Sequence, residues 1–172
     1  MRRLPVIFAL GAALVVPVVA LAGTGAASSD GSLVVHNGQA TPIGTTPVVV
    51  LSITGSVIGN VDHGRIIIDG GPSAVDNSRA PQVTSGARCV QPDGDTKQTC
   101  RGDNFSFRAV GGHYTLLVYG TGVDVVAVGT GWVKVAGIPD LGAGDGKYSV
   151  NGADFASLPG VQTDKLLIGT NG

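Results

Sequence analysis

The sequence predicts an all-β fold: an antiparallel β-sandwich of about ten strands, built from two similar meanders and preceded by a cleaved signal peptide. Three observations carry this expectation. The 172 residues include 28 glycines and 9 prolines, so turns are frequent and elements short. Glutamate is absent, all 12 acids being aspartate, and Leu and Lys are modest, while Val, Ile and Thr are common; the balance favours strands over long helices. Short apolar runs are separated by glycine-containing turns at the spacing of sandwiches or barrels rather than of βαβ units. At 43% hydrophobic and 13% charged, the chain is too apolar to belong with disordered sequences.

The N-terminus comes first. Met1-Arg2-Arg3 is a short positive region, Leu4 to Leu21 is apolar, and Ala20-Leu21-Ala22 is a small-x-small site. That order marks a secretory signal peptide, with cleavage expected between Ala22 and Gly23. Pro5 and Pro17 interrupt a stretch already near the lower length limit for a membrane span. Contact with the membrane is therefore expected only during export, and the mature protein is placed in the envelope or outside the cell. The organisation read from the chain is a signal peptide over 1–22, a flexible lead-in over 23–31 and a single all-β domain over 32–172.

Within the domain, strands are expected at 32–36, 47–54, 56–61 and 65–69, then after a long irregular stretch at 104–110, 113–119, 123–128 and 132–136, with two more at 147–150 and 165–168. Gly111-Gly112 divides two alternating runs and predicts a hairpin turn there. Asp62-His63-Gly64, Thr130-Gly131, Asn37-Gly38 and Asn151-Gly152 are further turn signals. Residues 48–70 align without gaps on 115–137, matching Gly55 with Gly122, Gly64 with Gly131, Ile66 with Val133 and Ile68 with Val135. Each copy reads as a three-stranded meander, and the two are expected to pack face to face.

The chemistry-bearing residues are few. Cys89 and Cys100 are the two cysteines, an even count in an exported chain, and predict a disulfide tying down the polar segment between them. Asp93, Asp95 and Asp103, and the Gly142–Gly146 run around Asp145, are read as exposed turn aspartates rather than a calcium site, which would need more oxygen ligands in a defined spacing. His36, His63 and His113 are isolated in sequence and no G-x-S-x-G elbow accompanies them, so they are read as solvated or hydrogen-bonded side chains. The glycine pairs Gly120/Gly122 and Gly129/Gly131 lie between strand-like runs with no following helix, which removes the phosphate-cradling geometry. Arg101-Gly102-Asp103 matches an adhesion tripeptide, and Asn104-Phe105-Ser106 a glycosylation sequon. Trp132, Tyr114 and Tyr119 are the aromatics available for a binding platform, with the orientation of Trp132 left open.

Two stretches, GSVIGNVDHGRIIIDG and FSFRAVGGHYTLLVYGTGVDVVAVGTGWVKV followed by GKYSVNGADF, give the chain a family resemblance. It resembles small secreted Gly/Val-rich β proteins of bacteria. The resemblance implies an exported β-rich fold held by structural glycines, and no activity, cofactor or partner. The insertion bearing Cys89 and Cys100 lies outside it.

Without Arg2 and Arg3 the formal charge of the domain is −3, so no basic footprint for nucleic acid is expected, and no cofactor motif is present. The functional expectation is an exported, non-catalytic β module with a structural or binding role, its partner unspecified. A self-assembling β-solenoid and a secreted hydrolase with a dispersed site are the alternatives.

Overall fold

The computed structural model describes residues 29–37, 46–70, 82–92, 96–137 and 146–169. The signal peptide, its cleavage site at Ala22 and Gly23, Gly38, Asp93–Asp95 and Gly142–Asp145 lie outside them. Among the described residues every regular element is a strand: β1 (Gly31–Asn37), β2 (Val49–Asp69), β3 (Gln82–Val83), β4 (Ala87–Val90), β5 (Gln98–Thr121), β6 (Val123–Val135), β7 (Gly146–Val150), β8 (Ala156–Ser157) and β9 (Leu166–Ile168). They form one antiparallel sheet in the order β3-β5-β2-β6-β1-β7-β8, with β4 beside β5 and β9 beside β6.

Among the described residues, several of the expected strands are joined into longer ones. The segments 47–54, 56–61 and 65–69 are one strand of 21 residues, and 104–110 and 113–119 belong to one of 24. The hairpin expected at Gly111-Gly112 does not form. Both halves of β5 pair with β2, Thr54 facing His113 and Ser56 facing Val110. Three steps on β5 thus oppose two on β2, so the glycines form a β-bulge, with Gly111 at φ 63° in the left-handed region. Asp62-His63-Gly64 and Thr130-Gly131 likewise lie within continuous strands. Asn151-Gly152 does make the expected turn: both residues have positive φ, and Ala153 N donates to Val150 O at 3.1 Å. The stretch expected to be irregular contains β3, β4 and the start of β5.

The internal repeat takes a different form from two packed meanders. Residues 49–60 pair with 135–124, and 63–69 pair with 121–115. The two copies are therefore the two sides of one antiparallel ribbon, meeting edge to edge. The register has an approximate local two-fold between the pairs Ile58–Val126 and Gly59–Val125. Glycines face each other across this ribbon at Gly55–Gly129 and Gly64–Gly120. A Cβ on Gly120 would lie 2.2 Å from the His63 carbonyl oxygen, and one on Gly55 2.2 Å from that of Val128. The backbones approach too closely for any side chain.

A second consequence of the register is coiling. Residues 115–118 pair with 52–49 on one side and with 69–66 on the other, so one segment of β5 lies between the two ends of the same strand. β2 must bend strongly to reach both. The inward face then surrounds one apolar cluster that includes Leu33, Ile53, Ile66, Ile68, Phe105, Tyr114, Leu116 and Val133, all at most 2% exposed. The inward alternation changes parity between Val61 and Gly64 in β2 and between Cys100 and Phe105 in β5. Asn104, with φ 48°, absorbs the kink on the β5 side.

Candidate functional site

The outward face is divided by that kink. On one side, adjacent rungs of β3, β5, β2 and β6 place Gln82, Arg108, Ile58 and Val126 in one row, and Ser106, Asn60 and Asp124 in the next. These rows line a groove of about 440 Å³ whose floor includes Ile58 and Val126. Phe107 points inward beneath it, its ring filling the space that a side chain at Gly59 would take.

Local hydrogen bonds hold the rim. Thr84 N donates to Ser106 O at 2.9 Å, and Ser106 N donates to Thr84 Oγ1 at 3.0 Å. Ser106 Oγ donates to Asn60 Oδ1 at 2.7 Å, which leaves the Asn60 amide NH₂ directed away from that contact. Asp124 is paired with the exposed His36 across β1 and β6. The result is an apolar strip bordered by hydroxyl and amide groups, with Arg108 and Asp124 as its charged members.

The three histidines are dispersed, each with its own partner: His36 with Asp124, His63 with Asp103, and His113 with Thr54 at 3.0 Å. Among the described residues neither His–Asp pair has a hydroxyl on its imidazole, and the Thr54–His113 contact has no carboxylate. The described residues thus bring the three histidines into separate pairs rather than one Ser/His/Asp cluster.

Cys89 and Cys100 are joined in a disulfide and face each other directly across β4 and β5. The expectation that the bridge serves a surface loop alone is corrected. Cys100 is fully buried in the core cluster and Cys89 is exposed, so the bridge fastens β4 to the core. Tyr114 is also corrected as a platform candidate: it is fully buried, and its hydroxyl donates to Gly111 O at 2.9 Å. Trp132 is half-buried on the outward face with the Lys165 ammonium 4.4 Å from its ring centre, and Arg65 lies 4.1 Å over Tyr119. Both rings are capped by cations. Arg101 and Asp103 lie in a strand rather than an adhesive loop, and Asp103 is held by His63.

Sequence reasoning missed the groove. Its lining residues become neighbours through the β2–β5 and β2–β6 registers, which no short motif encodes. The alternation of Ile58 with Asn60 and of Ser106 with Arg108 was the available signal. Comparison with protein-family models, curated proteins and solved structures finds no match to this chain.

Proposed function

We propose that the protein is an exported, non-catalytic β module that binds a stretch of neutral glycan in the Asn60–Ser106–Thr84 groove. The groove carries the reading. Sugars present hydroxyls at their edges and C–H surfaces on their faces; the rim offers amide and hydroxyl partners for the first, and Ile58 and Val126 a floor for the second. Export is supported by the order of the N-terminal segments and by the Cys89–Cys100 bridge, since disulfides persist in oxidising compartments. The sandwich reading is supported by the strong bend of β2, which turns one sheet around one core. Every described strand pair is antiparallel, whereas stacked solenoid coils pair in parallel, which favours the module over a self-assembling solenoid.

Two measurements test this. Mass spectrometry of protein recovered outside the cytoplasm should give an N-terminus at Gly23; a chain retaining residues 1–22 in the membrane fraction overturns export. Titration with a linear neutral glucan hexasaccharide should shift the amide resonances of Asn60, Thr84 and Ser106. Shifts confined to other regions, or none, overturn the groove.

A further inference from the structure

Beyond the kink, the outward face carries a different arrangement. Arg88 is the register partner of Arg101, and Arg101 that of Arg65. Directly paired residues share a face, so the three arginines form one row across β4, β5 and β2 at the strand spacing of about 4.8 Å, with the Arg65 guanidinium turned onto Tyr119, its other register partner. Like charges placed directly opposite destabilise a sheet. Here Arg88 and Arg101 are such a pair, in a domain whose net charge without the leader is −3.

Among the described residues no carboxylate neutralises the row. Among the described residues the ion pairs are His36–Asp124, His63–Asp103 and Lys97–Asp69, and none involves these arginines. Asp103 lies two residues from Arg101, but His63 holds it. The arginines are nevertheless fixed in place. The Cys89–Cys100 bridge is the adjacent register pair and secures Arg88 against Arg101. Arg65 is stacked on Tyr119, and its Nε is buried with no hydrogen-bond partner. A cationic row held in place, with no ion pair among the described residues and one buried Nε unsatisfied, is not optimised for stability and is suited to an anionic ligand.

We propose that the Arg88–Arg101–Arg65 row binds an acidic polysaccharide through the carboxylates of its uronate units. The planar guanidinium fork matches a carboxylate bidentately. Each uronate unit carries one carboxylate, so an oligomer offers several to the arginine-bearing strands at once. Asp103 and Asp69 flank the row and disfavour a polymer as densely charged as polyphosphate, while Thr99 and Thr121 on the neighbouring rungs offer hydroxyls to sugar oxygens. The inference deepens the glycan-binding reading and rests on it for the class of ligand, but uses a separate surface.

The test uses the full chain and calorimetric titration with a polygalacturonate oligomer, an inorganic polyphosphate and the neutral glucan hexasaccharide. Polygalacturonate should bind, weaken with added salt, and bind about tenfold less tightly to Arg101→Gln. Arg101→Lys, which keeps the charge and loses the fork, should fall between Gln and wild type. The variant Asn60→Ala should retain polygalacturonate binding at the row. Cooperative thermal unfolding of each variant establishes that it is folded. Equal polygalacturonate binding by wild type and Arg101→Gln overturns the row, as does tighter binding of polyphosphate or no binding of polygalacturonate. Neutral-glucan binding that is lost in Asn60→Ala and kept in Arg101→Gln preserves the groove reading in any of those cases.

Discussion

Tyr114 illustrates how single residues hold this sheet in shape. Its ring is fully buried, yet its hydroxyl reaches the carbonyl of Gly111 three residues back. The bulge is thereby tied from inside. Tyr114→Phe leaves that carbonyl without the bond and should lower stability by about 1 kcal/mol, read from the urea midpoint. Glycines act by omission. At Gly120, with φ 137° and the His63 carbonyl facing it, Gly120→Ala should cost about 1–3 kcal/mol through overpacking and backbone strain. At Gly111 an added Cβ meets nothing within 4 Å, so Gly111→Ala bears the left-handed backbone alone, at about 1 kcal/mol. Chemical denaturation of the two variants should therefore rank Gly120→Ala as the more damaging; the reverse order contradicts the close-approach account.

At the scale of elements, the disulfide decides the fate of β4. That strand has four residues, three of them exposed, and it packs chiefly through Ala87 and the bridge. Closing a loop of this size contributes about 3 kcal/mol in the chain-entropy model. Reduction should release residues 87–90 to rapid amide exchange while β2, β5 and β6 keep their protection, because their inward faces form the core without it. Loss of protection throughout would mean that the bridge supports the whole sheet. The same elements show what was legible beforehand. Alternation identified β1, β7 and the apolar parts of β2, β5 and β6, and the even cysteine count identified the bridge. Gly64 and Gly111 read from sequence as turns, and Gly55 and Gly131 as bulges or turns; a glycine also marks a close backbone approach, and sequence alone does not distinguish these. Residues 98–103, Gln-Thr-Cys-Arg-Gly-Asp, carry no strand periodicity; they are extended because β2 and β4 pair with them on either side. The arginine row was invisible for the same reason, since it exists only in the register of that segment.

For the whole molecule, the repeat is the organising feature. One copy pairs on its outer edge with β5, and the other with β1 and β9. The second copy thus assembles from separate strands what the first obtains from one. The position of residues 115–118 between both ends of β2 has a kinetic consequence. Neither neighbour is close in sequence to its partner, and the segment completes its pairing only after β2 has curved to present both ends. Nothing local can assemble that arrangement in advance, so the loop-closure entropy is met before the compensating contacts exist. Refolding from urea should accordingly be slow for a domain of this size, in the millisecond-to-second range of non-local β topologies, as followed by stopped-flow fluorescence of Trp132. Mutations in the 115–118 segment should slow folding less than they accelerate unfolding, because a strand inserted last contributes little to the transition state.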